Sequence, residues 1–248
     1  MKLWTLAYSQ EFCNTLFHTM LRILTRCIHR FPTCLFSCHT LTSLHIRVQN
    51  PKEFYMCTFF PNSLNLPSLI NLYLWHISFC AADDGSVEPF STLTSLKSLT
   101  IVDCEIMDEQ NLCISSTKLV GLCIYMRRYA PETYFGIELS TPSLCTFDFH
   151  GIPIQKLHGI KSNLSSIKHT SLVLLNWLVE LPNIQSLTVS STSLQVLSLV
   201  PDLLTIELPF LCHLKSLKVE KRQISSIPDG MVKFLLRHAQ SASVDIIY

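Results

Sequence analysis

One six-residue phrase returns along this chain: Leu69-Ile70-Asn71-Leu72-Tyr73-Leu74, Leu96-Lys97-Ser98-Leu99-Thr100-Ile101 and Leu214-Lys215-Ser216-Leu217-Lys218-Val219. Apolar residues hold its first, fourth and sixth places. The alternation over the last three places is that of a strand burying one face, so Leu72 and Leu74 point inward while Asn71, Tyr73 and Trp75 point outward. Taking the fourth place as a ruler gives Leu44, Leu72, Leu99, Leu122, Phe147, Ile167, Leu187 and Leu217, at intervals by subtraction of 28, 27, 23, 25, 20, 20 and 30 residues. A unit returning at that period cannot bury its apolar face alone and must stack on its neighbours.

The L-x-x-L-x-L phrase at this spacing predicts an α/β fold of the leucine-rich-repeat solenoid type, an irregular horseshoe with a parallel concave sheet. Residues 31–222 form the repeats, residues 1–30 a helical N-terminal cap or lead-in, and residues 223–248 a C-terminal cap of one helix and one strand. The N-terminal helix is read from about Ser9 to Ile28, where Phe12, Leu16, Met20, Ile23, Leu24, Cys27 and Ile28 lie near one helical face. At the other end Asp229 is the expected N-cap of a helix over 230–238, followed by a strand with Val244 and Ile246 inward. Between phrases, Leu194, Leu197, Val200 and Leu204 recur at helical spacing near Pro201, which predicts short helices on the convex side. The place that holds a laddering Asn or Cys in regular repeats is Cys104 once, but Ile77, Ile152, Thr192 and Arg222 elsewhere, so uneven curvature is expected.

Composition narrows the function. Hydrophobic residues make up 48% of 248, ample for a core, and nineteen basic residues face eighteen acidic ones without a run of like charge. That balance speaks against nucleic-acid or membrane partners. The apolar start is too short for a signal peptide and no stretch is long enough to span a bilayer, so a cytoplasmic or nuclear protein with reduced cysteines is expected. Six glycines hold no phosphate-binding motif. Cys34, Cys38 and His39 lack the second ligand pair of a zinc site, and no cofactor or metal is expected. Eleven cysteines and ten histidines single out no nucleophile and base, so no catalytic residue is assigned and the chain reads as a binding protein, not an enzyme. Asn163-Leu164-Ser165 is a glycosylation sequon only in an exported chain.

Several stretches are more specific. They are residues 31–44 (Phe-Pro-Thr-Cys-Leu-Phe-Ser-Cys-His-Thr-Leu-Thr-Ser-Leu), Leu66-Pro67-Ser68-Leu69, Asp83-Asp84-Gly85, Pro142-Ser143-Leu144-Cys145-Thr146-Phe147, Asn176-Trp177-Leu178 and the tail from Ile227 to Tyr248. Together, over about residues 27–248, they resemble the plant F-box and leucine-rich-repeat proteins, including those with a C-terminal FBD-type region. The resemblance implies a substrate-recognition part of a ubiquitin ligase, in which an F-box docks on a Skp-type adaptor and the repeats capture a protein substrate. No Leu-Pro-Asp F-box opening precedes the repeats in this sequence, and residues 1–30 are too few to hold the module. Adaptor binding is therefore expected only with an F-box upstream, and a stand-alone repeat binding protein is the alternative.

The alignment of phrases sets a concave row of His45 and Arg47, Tyr73 and Trp75, Thr100 and Val102, Cys123 and Tyr125, Asp148 and His150, Lys168 and Thr170, Thr188 and Ser190, then Lys218 and Glu220. Aromatic and charged residues gather in its first half, the residue types that dominate interface energetics. Arg47, Tyr73, Trp75, Tyr125, Asp148 and His150 are the expected partner contacts. The competing expectation is that Tyr73, Trp75 and Tyr125 only pack on neighbouring strands.

Overall fold

The computed structural model describes residues 4–5, 20–25, 38–48, 59–61, 64–80, 87–106, 111–126, 137–151, 178, 181–199, 203–205, 208–221, 226–239 and 241–248, with the backbone alone at 4–5, 20–25 and 209–210. Its strands are β1 (Trp4–Thr5), β2 (Met20–Thr25), β3 (Ser43–Val48), β4 (Asn71–Trp75), β5 (Ser78–Phe79), β6 (Ser98–Val102) and β7 (Glu105–Ile106). They continue as β8 (Leu112–Ser115), β9 (Gly121–Tyr125), β10 (Ile137–Ser140), β11 (Thr146–His150), β12 (Ser186–Ser190), β13 (Ser216–Glu220) and β14 (Ser243–Ile247). Two short helices, α1 (Ser191–Leu197) and α2 (Met231–Leu235), lie between the later strands.

Ten strands form one parallel sheet in the order β1-β2-β3-β4-β6-β9-β11-β12-β13-β14. The chain therefore winds as a solenoid, laying down one strand of this sheet per turn. Several strands of this sheet are entered the same way. A four-residue turn, Leu-x-x-Leu in three of them, closes with a backbone bond from its fourth residue to its first, as in Leu69 to Leu66, Leu96 to Leu93 and Leu214 to Leu211, and likewise Leu144 to Thr141 and Ala242 to Ala239. Pro67, Pro142 and Pro182 stand second in such turns, where a fixed φ is an advantage and no N–H is needed. The two residues after the turn then donate to one carbonyl of the preceding repeat: Ile70 and Asn71 to Thr42, Lys97 and Ser98 to Ile70, Val120 and Gly121 to Lys97. Register is thereby set before the strand begins.

Register keeps like residues in columns. Leu44, Leu72, Leu99, Leu122, Phe147, Leu187 and Leu217 pair in sequence across the sheet, and each is at most 2% exposed. Ile46, Leu74, Ile101, Ile124, Phe149, Val189 and Val219 form the second buried column. Burying one such side chain is worth about 1.5–3 kcal/mol, so the two columns dominate the stability of the stack.

The return segments differ along the solenoid. In the first half they are strands, with β5 paired to β7 and β8 to β10 in parallel, above a cluster of Phe60, Phe79 and Phe90 whose centroids lie 5.7–5.9 Å apart. Period-two burial in Leu112–Ser115 and Ile137–Ser140 accounts for that choice. In the second half helices take over, and Leu194 and Leu197 of α1 are buried as their spacing predicts, whereas Leu204 is 49% exposed.

Both expected caps require correction. Met20–Thr25, placed in an N-terminal helix by the sequence, is strand β2, with Leu21 opposite Leu44 and Ile23 opposite Ile46. Leu21 and Ile23 satisfy period two as well as 3.6, and pairing with β3 supplies the hydrogen bonds that decide it; the rest of that reading lies outside the described residues. At the other end Asp229 does not cap the helix. Gly230 holds that place at φ 79° and ψ −17°, as at the third position of a type II turn, without a side-chain cap. Strand β14 forms as expected, but Val244 and Ile246 are 39% and 44% exposed. Finally, β11 pairs directly with β12, Phe147 against Leu187, so the phrase expected at Ile167 contributes no strand between them. Residues 152–177, with Lys168 and Thr170, lie outside the described set.

Candidate binding surface

The sheet face opposite the buried columns carries three rows. The first is small and polar: Ser43, Asn71, Ser98, Gly121, Thr146, Ser186, Ser216 and Ser243. The second runs His45, Tyr73, Thr100, Cys123, Asp148, Thr188, Lys218 and Asp245. The third runs Arg47, Trp75, Val102, Tyr125, His150, Ser190, Glu220 and Ile247. Parallel strands about 4.8 Å apart bring rings in one row into stacking range, and the rows are organised by that fact.

At β3 and β4, the His45 ring stacks on Tyr73 at 4.8 Å and 13°. Beside it the Arg47 guanidinium lies 3.6 Å above the centroid of Trp75. The indole is itself held: Trp75 Nε1 donates to His76 Nε2 at 3.0 Å, and His76 Nδ1 lies 3.0 Å from the Val48 carbonyl. A carbonyl only accepts, so the His76 proton sits on Nδ1 and Nε2 offers its lone pair to the indole. His76 adopts φ 54°, and Asp103, at φ 48° in the next repeat, brings Oδ2 to 3.7 Å from His76 Nε2. These left-handed residues end β4 and β6 without glycine.

A second cluster lies between β9 and β13. Tyr125 and His150 stack face to face, 3.9 Å between centroids and 3° from parallel. His150 Nδ1 stands 2.8 Å from Glu220 Oε2, the carboxylate reaching across Ser190 on the strand between. The Tyr125 hydroxyl hydrogen-bonds the Cys123 sulfur one row away. Burial pushes the Cys123 thiol up to about 12, and the Asp148 and Glu220 charges push the same way. Burial raises the Tyr125 phenol to about 12 as well, reinforced by charge on Cys123, Glu220 and Asp148. Asp148 and Glu220 thus set negative charge beside these two groups, with Lys218 on β13 in the same row as Asp148.

Of the six residues expected to meet a partner, Arg47 is exposed, and Tyr73, Trp75, Tyr125 and Asp148 are partly exposed. His150 is 1% exposed, sealed by Tyr125 and Glu220, and acts on the surface through them. The six fall into two groups: Arg47, Tyr73 and Trp75 on β3 and β4, and Tyr125, Asp148 and His150 on β9 and β11. Between the groups, Val102 stands in the third row with 3% exposure. His76, Asp103 and Glu220 complete the clusters. Nothing in the sequence marked the first two, which lie just beyond the strand phrase.

Cys104 holds the laddering place, with its buried thiol 3.7 Å from the Leu74 carbonyl of the previous repeat. Burial raises that thiol to about 12. Among the described residues the cysteines are free, no group of His, Cys, Asp and Glu is arranged to hold a metal ion, and no helix is long and apolar enough to cross a membrane. Comparison of the chain with known protein families, curated proteins and solved structures finds no match.

Proposed function

We propose that the chain is a leucine-rich-repeat protein-binding domain that receives a protein partner on the open face of its ten-strand sheet. The observation that carries this reading is the in-register arrangement of Arg47 on Trp75, His45 on Tyr73 and His150 under Tyr125, with the tryptophan and both tyrosines still partly exposed. Aromatic and arginine side chains fixed by their neighbours lose little entropy on binding, which is what interface hot spots require. The resemblance to F-box and leucine-rich-repeat proteins extends the reading to substrate recognition for a ubiquitin ligase, in the cytoplasm or nucleus.

The test is affinity capture with the tagged protein and with a Tyr73→Ala, Trp75→Ala, Tyr125→Ala variant, quantified by mass spectrometry. Partners should be lost by the variant while its far-ultraviolet circular dichroism stays that of the parent. Partners retained by the variant would refute the assignment of the face. A Skp-type adaptor among proteins captured by both forms supports the ligase role, and its absence leaves a stand-alone binding protein.

A further inference from the structure

We infer that the β3–β4 end of the open face receives a carboxylate from an extended, acidic peptide segment of the partner, an inference that rests on the protein-binding reading above. Arg47 is exposed, with its guanidinium carbon 3.6 Å from the centroid of the Trp75 ring. Stacking occupies the flat face of a guanidinium and leaves the N–H donors at its edge, the geometry that a carboxylate engages with two hydrogen bonds. Among the described residues, the two close contacts between a basic side chain and a carboxylate, His76 with Asp103 and His150 with Glu220, do not involve Arg47. Its platform is immobilised, since Trp75 is tied through His76 to the Val48 carbonyl, so docking has little conformational freedom left to remove.

Charge along the face selects the sign of the partner. In the second and third rows, no carboxylate occurs from β3 to β9, although Asp103, just past β6, lies 3.7 Å from His76; Asp148, Glu220 and Asp245 lie on β11 to β14, where Lys218 offsets one of the three. Asp148 is four strand spacings from Arg47, roughly 19 Å, too far to compensate it. A segment crossing the strands meets a cation first and the Asp148 carboxylate about six extended residues later. A nucleic acid would carry its phosphates onto those three acids, which favours the peptide.

The probe is a fluorescein-labelled decapeptide with Asp-Glu at one end, apolar residues in the middle and Lys-Arg about six residues on, followed by fluorescence anisotropy with the full chain. Expected is saturable binding that weakens with salt and falls about tenfold in Arg47→Glu. Arg47→Gln, which removes the charge without reversing it, should fall between. Equal binding of a peptide with lysines in place of Asp-Glu, an unchanged affinity in Arg47→Glu, or tighter Arg47-dependent binding of an oligothymidylate would each overturn the inference. Capture of cellular partners separates the two claims. Partners kept by Arg47→Glu but lost by the triple alanine variant sink the carboxylate site alone, whereas partners kept by both sink the binding face as well.

Discussion

Replacing Ser193 with alanine should destabilise the domain more than replacing Ser190, although both serines are fully buried and only one caps a helix. Ser193 Oγ donates to the Gly151 carbonyl at 2.8 Å, so its single proton is committed there. The 2.8 Å contact between the two hydroxyls must then run from Ser190 to Ser193. Ser190 Oγ in turn accepts from the Ser193 amide at 3.1 Å, capping α1. Ser193→Ala breaks this circuit twice: it strands the Gly151 carbonyl and leaves the Ser190 hydroxyl proton without its acceptor. Each buried orphan costs about 1–3 kcal/mol, giving roughly 2–6 kcal/mol in all. Ser190→Ala removes the cap but leaves the bond to Gly151, at a cost of about 0.5–2 kcal/mol. In the double variant the Ser190 proton no longer exists, so the two effects should fall short of their sum by about 1 kcal/mol. Urea denaturation followed by circular dichroism, at constant slope across the variants, measures all three. A Ser190→Ala cost above that of Ser193→Ala, or strict additivity, would refute the circuit.

Three further outcomes follow from the packing. Cys212, which is exposed, should react with iodoacetamide near pH 9, while Cys104 and Cys123, raised to about 12, stay protected in the native state. Because these thiols hold their protons more tightly when folded, their contribution to stability is full below about pH 9 and is lost as the pH rises through about 12, which alkaline denaturation will register. Gly151→Ala should cost about 1–3 kcal/mol in thermal or urea unfolding, since a Cβ there would stand 2.8 Å from Met126 Cβ at a backbone φ of 154°. Leu217→Ala should cost about 2–5 kcal/mol and its register partner Val244→Ala less than about 1 kcal/mol, because the first is fully buried and the second is 39% exposed.

The solenoid was legible because its phrase encodes two separate physical needs. The first Leu closes the entry turn, and the fourth and sixth residues form the buried columns. Where the sequence reading erred, it weighted these places wrongly. Leu21 and Ile23 stand in register with the two apolar places of β3, but His18 occupies the sequence position of the turn leucine, so the stretch read as a helix. At Ile167 the turn place holds Leu164, yet the second inward place falls on His169, which no other phrase tolerates. All the described phrases from Leu44-x-Ile46 to Val244-x-Ile246 carry two apolar residues there. Burial of the pair, not the turn leucine, decides whether a strand joins the sheet. The strand-built return segments were missed for a related reason. Two to four residues of period-two burial, as in Leu112–Ser115, are too few to stand out against helical spacing.

That single misplaced strand also explains why the binding face was legible only in part. Tyr125 and His150 fall in one row from spacing alone, and Arg47 over Trp75 follows in the same way. The partner of His150 does not. With a strand at Ile167 between β11 and β12, Glu220 would stand three spacings from His150, about 14 Å away, beyond the reach of its side chain. Direct pairing of β11 with β12 reduces this to two spacings, about 9.6 Å, and Ser190 between them is small enough for the carboxylate to pass over. The 2.8 Å contact between His150 and Glu220, the sealing of His150 by that carboxylate, and the Glu220 charge that adds to the burial raising Tyr125 and Cys123 all depend on that adjacency. A residue read from sequence as an exposed contact thus becomes the buried support of its neighbour. Of the three residues expected to meet a partner at this end, Tyr125 and Asp148 remain partly exposed, with Glu220 beside them.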